Sequence, residues 1–172
     1  MARKKAGGSG DSPGLRLIRK GMDQGWKPPI AELIGFKLTK AGKGTARVEL
    51  EAGPQHANPM GTLHGGVICD VSDAAMGIAY LSTLGENESF TTMELKVNFL
   101  RPVWTGHLVA NATVMRKGRS TGLVVCKILD EKGKLVAFAT STCMTIPGAA
   151  GRELVRERLR DGGARAPAIE GR

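Results

Sequence analysis

The chain has 172 residues, of which 41% are hydrophobic and 24% charged, and its formal net charge is +9. That length suits one domain with tails, burying about two-thirds of its unfolded surface, and no apolar run approaches the ~20 residues that would span a membrane. Its cysteines, Cys69, Cys126 and Cys143, are odd in number, widely spaced and set among apolar neighbours, which fits reduced core thiols, and neither they nor His56, His64 and His107 show metal-ligand spacing.

Residues 1–27 carry seven Lys or Arg against two acids, and residues 148–172 carry six against four. The stretch between them is nearly neutral, so the excess charge belongs to solvated, partly disordered tails and argues against a nucleic-acid partner. Arg3-Lys4-Lys5 is the one cluster suited to contact with anions. The opening MARKKAGGSGDSPG lacks the apolar region of a secretion signal, and a cytoplasmic protein is expected. The last four residues, Ile169-Glu170-Gly171-Arg172, match a protease recognition sequence common in engineered proteins. The folded domain is expected over 28–147.

Leu15 to Gln24 shows a short amphipathic helical pattern, and Pro28-Pro29 followed by Ile30 to Gly35 reads as a helical turn begun by proline and stopped by glycine. The period then changes to two. Phe36 to Lys40 and Thr45 to Glu51 alternate around Ala41-Gly42-Lys43-Gly44, a hairpin signal. A loop rich in Gly, Pro and Asn covers 53–63.

Val67 to Leu84 reads as about five turns of helix, apolar on nearly every face and so wrapped by protein. Four strand-like runs follow: Ser89 to Phe99, His107 to Arg116, Thr121 to Leu129 and Leu135 to Ile146. Two strands, one buried helix and four more strands suit an antiparallel sheet curled around a central helix. Its free edges invite pairing across a two-fold axis, so a dimer is the expectation.

Two carboxylates, Asp70 and Asp73, interrupt the apolar helix, and an ionised carboxylate placed there needs partners or a task. Gly65 and Gly66 lead into the helix. They let backbone approach a ligand closely, and the unpaired first-turn N–H groups at the positive end of the helix dipole suit a carbonyl oxygen gaining negative charge. Asp70, one turn before Asp73, fits a capping or solvated role.

The run Asn58-Pro59-Met60-Gly61-Thr62-Leu63-His64-Gly65-Gly66, with Asp73 nine positions after the histidine and Asn98-Phe99-Leu100-Arg101-Pro102-Val103 beyond, resembles the phenylacetate-degradation-type (PaaI-like) hotdog acyl-CoA thioesterases, relatives of 4-hydroxybenzoyl-CoA thioesterase. The resemblance covers roughly residues 30–146. It implies an α+β hotdog fold dimerising edge to edge, often as a homotetramer, and hydrolysis of an acyl-CoA to the free acid and CoA without metal or cofactor. It implies a site across the dimer interface, the acid from one subunit and the loop and helix start from the other. Asp73 would be general base or nucleophile, Gly65 N–H would polarise the carbonyl, and Asn58 would orient water or the carboxylate. His64 would hold the loop or lie near the sulfur. A hydroxyl near the acid is implied, matched by Thr92 or its neighbour Thr91. Where some relatives pair Glu with a Thr four residues later, this chain has Gly77, which favours the aspartate type. The CoA end would meet Gly66, Arg101, Lys117, Arg119 and Ser120.

Competing readings are a non-catalytic acyl-CoA sensor and a hotdog dehydratase or hydratase. The first is disfavoured because the 27 residues before Pro28 are too few for a three-helix DNA-reading unit. The second lacks the proline-rich histidine motif of acyl-carrier-protein dehydratases. The acyl group is not legible.

Overall fold

The computed structural model describes residues 10–148. In chain order the elements are α1 (Pro13–Asp23), α2 (Pro29–Ile34), β1 (Lys37–Gly42), β2 (Thr45–Ala52), α3 (Gly65–Leu81), β3 (Glu88–Phe99), β4 (Gly106–Lys117), β5 (Thr121–Asp130) and β6 (Leu135–Pro147). The strands form one antiparallel sheet in the order β1-β2-β4-β5-β6-β3, with α3 packed against it. This is the hotdog arrangement expected from the sequence. Arg3-Lys4-Lys5 and the C-terminal tail with its protease-like end lie outside the described residues.

Alternation along the strands sends Val48 and Leu50 of β2, Leu108, Ala110 and Ala112 of β4, Val124, Cys126 and Ile128 of β5, and Ala137, Ala139 and Cys143 of β6 into the core. From α3, Ile68, Val71, Ala75, Met76, Ala79 and Tyr80 meet them at helical spacing. Alanines on both sides let helix and sheet approach closely, while each fully buried Val, Leu or Ile contributes about 1.5–3 kcal/mol.

Helix α3 begins two residues earlier than the apolar pattern suggests and ends three earlier. At its start His64 is the N-cap, its side chain accepting from Gly66 N–H, so both glycines lie inside the first turn. At its end the hydroxyls of Ser82 and Thr83 donate to Ala79 O (2.6 Å) and Tyr80 O (2.7 Å), competing with the helical ladder and closing it.

Helix α1 is capped by Ser12, whose Oγ accepts from Leu15 N–H, and buries Leu15 and Ile18. It docks on the far end of α3: Gly14 N–H donates to Leu84 O (3.2 Å) and the Ser12 hydroxyl to Ser82 O. A methyl on Gly14 would lie 1.9 Å from Leu81 O, so only glycine permits this approach. The sequence segment 10–27 is therefore built onto the domain. No described helix is long and apolar enough to cross a membrane.

Strand β3 pairs only with β6, leaving its other side an open edge twelve residues long. It runs along α3 in the opposite sense, so Phe90 lies by Gly77 of the helix, Thr92 by Asp73 and Phe99 by Gly65. That strand strings out the groups considered next.

Candidate active site

The start of α3 is held by the loop before it. His56 is buried, accepting at Nδ1 from Gly53 N–H (3.1 Å) and donating from Nε2 to Ile34 O (2.8 Å), while its carbonyl accepts from His64 N–H (2.8 Å). Asn58 closes its own turn. Its Oδ1 accepts from Met60 N–H (2.9 Å) and Thr62 N–H (3.2 Å), and Nδ2 donates to Thr62 Oγ1 (2.9 Å). One Nδ2 hydrogen is left over, since an amide nitrogen carries two.

His64 is exposed, and its Nδ1 accepts from Gly66 N–H at 2.9 Å. That bond uses the Gly66 donor internally. The Gly65 N–H has no partner among the described residues, as the first helical donor has none within the helix. Gly65 also borders a cleft of about 350 Å³ lined by Asn58, Thr62, Phe99, Leu100 and Arg101. A methyl at Gly65 would sit 3.0 Å from the Phe99 ring. Glycine is thus what leaves the donor open beside that ring.

Two turns on, Asp73 is half-buried, and the Thr92 hydroxyl donates to its Oδ1 at 2.9 Å. Of the two adjacent threonines, Thr92 faces the helix and Thr91 is exposed. The β3–β6 register slips between Thr92 and Glu94, a bulge of the kind that re-aims side chains beside functional sites. Behind Thr92 stands Cys143, its partner across that register and wholly buried. Burial pushes the Cys143 thiol up; the Ser141 hydroxyl opposes this, the charge of Asp73 adds to it, and the Thr92 hydroxyl opposes it in turn. Asp70 is exposed.

Next to Asp73, Phe90 meets Tyr80 edge to face at 5.7 Å, and a methyl at Gly77 would lie 3.1 Å from the Phe90 ring. Phe90 therefore fills the place where the alternative pattern would carry a threonine.

Asn58, Gly65 and Arg101 are thus gathered at one cleft, and Asp73 is joined to Thr92. Eight residues of helix, about 12 Å of rise, separate Gly65 from Asp73, so one copy holds the two groups apart. Lys117, Arg119 and Ser120 sit at the β4–β5 turn, toward the Tyr80 end of α3, away from Arg101. There Lys117 Nζ pairs with Glu88 Oε2 at 3.6 Å, Ser120 O accepts from Thr145 N–H at 2.7 Å, and Arg119 is exposed. Arg101 also lines an adjoining cleft of about 460 Å³ with Trp104, Lys132 and Lys134. Among the described residues, no three His, Cys, Asp or Glu are grouped to hold a metal ion.

The sequence alone gives no site position to Phe90 or Ser141, and shows Phe99 only as part of the motif and Cys143 only as a core thiol. A signal exists for Ser141 and Cys143: Ser141, Cys143 and Thr145 alternate with Thr142 and Met144, placing three small polar groups on the inward face of an apolar strand.

Residues 60–137 match the model of the Thioesterase superfamily. The chain is 31% identical over 113 residues to the 1,4-dihydroxy-2-naphthoyl-CoA hydrolase of Listeria monocytogenes, covering 66% of this chain and 92% of that one. Among solved structures, a phenylacetic acid degradation-related protein of Ralstonia eutropha is 32% identical with a TM-score of 0.65, covering 72% of this chain and 96% of that one. The E. coli PaaI protein from the phenylacetic acid degradation operon superposes with a TM-score of 0.71 at 24% identity, covering 80% and 99%, and speaks for the fold alone.

Proposed function

The chain belongs to the thioesterase superfamily, and from that premise we propose that it hydrolyses an acyl-CoA thioester to the free acid and CoA in a site made by two copies. The observation that carries the reading is Asp73, held by the Thr92 hydroxyl of β3, on the same helix whose first donor, Gly65 N–H, has no partner among the described residues.

Strand β3 bears the Thr92–Asp73 group toward its start and the Phe99–Gly65 group at its end. Antiparallel pairing of two copies along the open β3 edge sets the start of one strand against the end of the other. One copy's acid then faces its partner's cleft, and the 12 Å gap within a copy ceases to matter.

In that site the thioester carbonyl oxygen accepts from Gly65 N–H, helped by the positive end of α3. Asp73 either takes a proton from the attacking water or attacks the carbonyl carbon itself, with Thr92 steering the carboxylate. The C–S bond breaks, the sulfur of CoA leaves and takes up a proton, and water supplies the second oxygen of the acid. Asn58 has one free Nδ2 hydrogen for the water or the carboxylate, and His64 holds the helix start. Arg101, exposed and common to both clefts, is placed for CoA phosphate. Lys117, Arg119 and Ser120 form a second basic group nearer the Asp73 end, so a two-copy site can draw on both. Gly66 contributes through the glycine turn, its N–H being taken.

The test is CoA release by the purified protein over a panel of aromatic and aliphatic acyl-CoAs. Turnover of one class supports hydrolysis and names the acyl group. Binding without release from any of them refutes hydrolysis and points to a sensor.

A further inference from the structure

Strand β6 lines the core with apolar residues except for Ser141, Cys143 and Thr145, all buried. Thr145 is accounted for by the Tyr80 hydroxyl at 2.8 Å. Ser141 and Cys143 are both 0% exposed, and Ser141 Oγ lies 3.8 Å from Cys143 Sγ. Cys143 stands directly across from Thr92 in the β3–β6 register, which puts the two side chains on one face of the sheet. Ser141, Cys143, Thr92 and Asp73 thus form a row that runs from the core to the half-buried acid.

The acid sets the direction of every bond in that row. An ionised carboxylate has no proton to give, so Thr92 must donate its only hydroxyl proton to Asp73, as the 2.9 Å contact has it. Thr92 then has only lone pairs left for Cys143. A bond between the two would then have the thiol as donor, and a sulfur whose proton is so used can only accept, from the Ser141 hydroxyl 3.8 Å away.

We propose that Cys143 is a positioning residue for thioester hydrolysis: its thiol, backed by Ser141, holds the Thr92 hydroxyl in the orientation that donates to Asp73. Thr92 is the last residue in register before the slip, with Met93 the extra residue, so the pleat on its C-terminal side does not continue regularly to fix its aim. Burial raises the Cys143 thiol, which keeps the proton that the row requires. The proposal rests on the hydrolytic reading for its kinetic consequence, and on geometry alone for the thiol-to-Thr92 bond.

Two readouts on the full chain test it separately. The S–H stretching band of Cys143 is isolated by infrared difference between the wild type and Cys143→Ala, with Cys143→Ser as the reference if the alanine variant does not fold. In Thr92→Val the acceptor is gone, and the band moves to higher frequency; a band that stays in place overturns the bond, whatever the protein hydrolyses. In the kinetic arm Cys143→Ala lowers kcat about 10-fold with KM held, Cys143→Ser restores most of it, and in a Thr92→Val background Cys143→Ala has no further effect. Equal losses in both backgrounds mean that the thiol acts through packing, and the positioning role falls. No release of CoA by the wild type overturns the hydrolytic reading and the kinetic role with it, while the infrared band still decides the bond.

Discussion

Replacing Thr92 with valine is the sharpest single perturbation of the acid. Valine keeps the branched shape and the strand preference of threonine, so β3 and its pairing to β6 are preserved while the hydroxyl is lost. The lost bond is a 2.9 Å contact from a hydroxyl to a carboxylate oxygen. Hydrogen bonds to charged groups contribute about 1.5–3 kcal/mol, and the half-burial of Asp73 lets water replace part of it, which favours the lower end. Since about 1.4 kcal/mol is a factor of ten in rate, kcat/KM for acyl-CoA hydrolysis falls roughly 10-fold, with folding stability within about 1 kcal/mol of wild type. Thr92→Ser keeps the donor and loses only some rotamer restriction, so it stays within about 3-fold. A valine variant as active as wild type, or a serine variant as poor as valine, would refute the assignment of Thr92.

Further outcomes follow from the same geometry. A methyl at Gly122 would lie 2.4 Å from Tyr80 Cε2 and 2.9 Å from Arg116 O, so Gly122→Ala destabilises by about 1–3 kcal/mol in urea unfolding, and much of the loss disappears in a Tyr80→Leu background. Burial pushes the Cys126 thiol from 9.0 up to about 12, so the folded chain keeps this proton after the unfolded chain has released it. The associated stability is intact below pH 9 and is lost as pH rises toward 12, at about 1.4 kcal/mol per pH unit. Unfolding free energies measured across that window should show this slope, and Cys126→Val should reduce it. Arg101→Ala should raise KM for acyl-CoA about 5-fold with kcat kept, the effect of one exposed cation on phosphate; an unchanged KM would remove Arg101 from the CoA site.

Most of the fold could be read because the signals were local. Alternation marks β2, β5 and β6 plainly, and proline, glycine and turn residues divide the strands. Helix α3 starts before its apolar pattern because a histidine, a less expected cap than a glycine turn, caps it, and it ends before that pattern does because Ser82 and Thr83 close the ladder by bonds that periodicity does not reveal. The sheet order was the harder part. That β3 lies beside β6 and not β4 depends on long-range pairing, and everything behind Asp73 follows from that neighbour. Thr92 was within reach as a hydroxyl near the acid, whereas Cys143 becomes visible only once the β3–β6 register is known. Asn58 shows the opposite case: its motif is legible, but most of its hydrogen-bonding capacity closes its own loop.

The central claim is that Asp73 drives thioester hydrolysis, and the most direct measurement is CoA release by Asp73→Asn on the best acyl-CoA, with far-ultraviolet circular dichroism to verify folding. The account predicts a loss of about 10²-fold or more in kcat in a protein that remains folded. Hydrolysis within about 2-fold of wild type would contradict it, and the acid would have to be sought elsewhere in the chain.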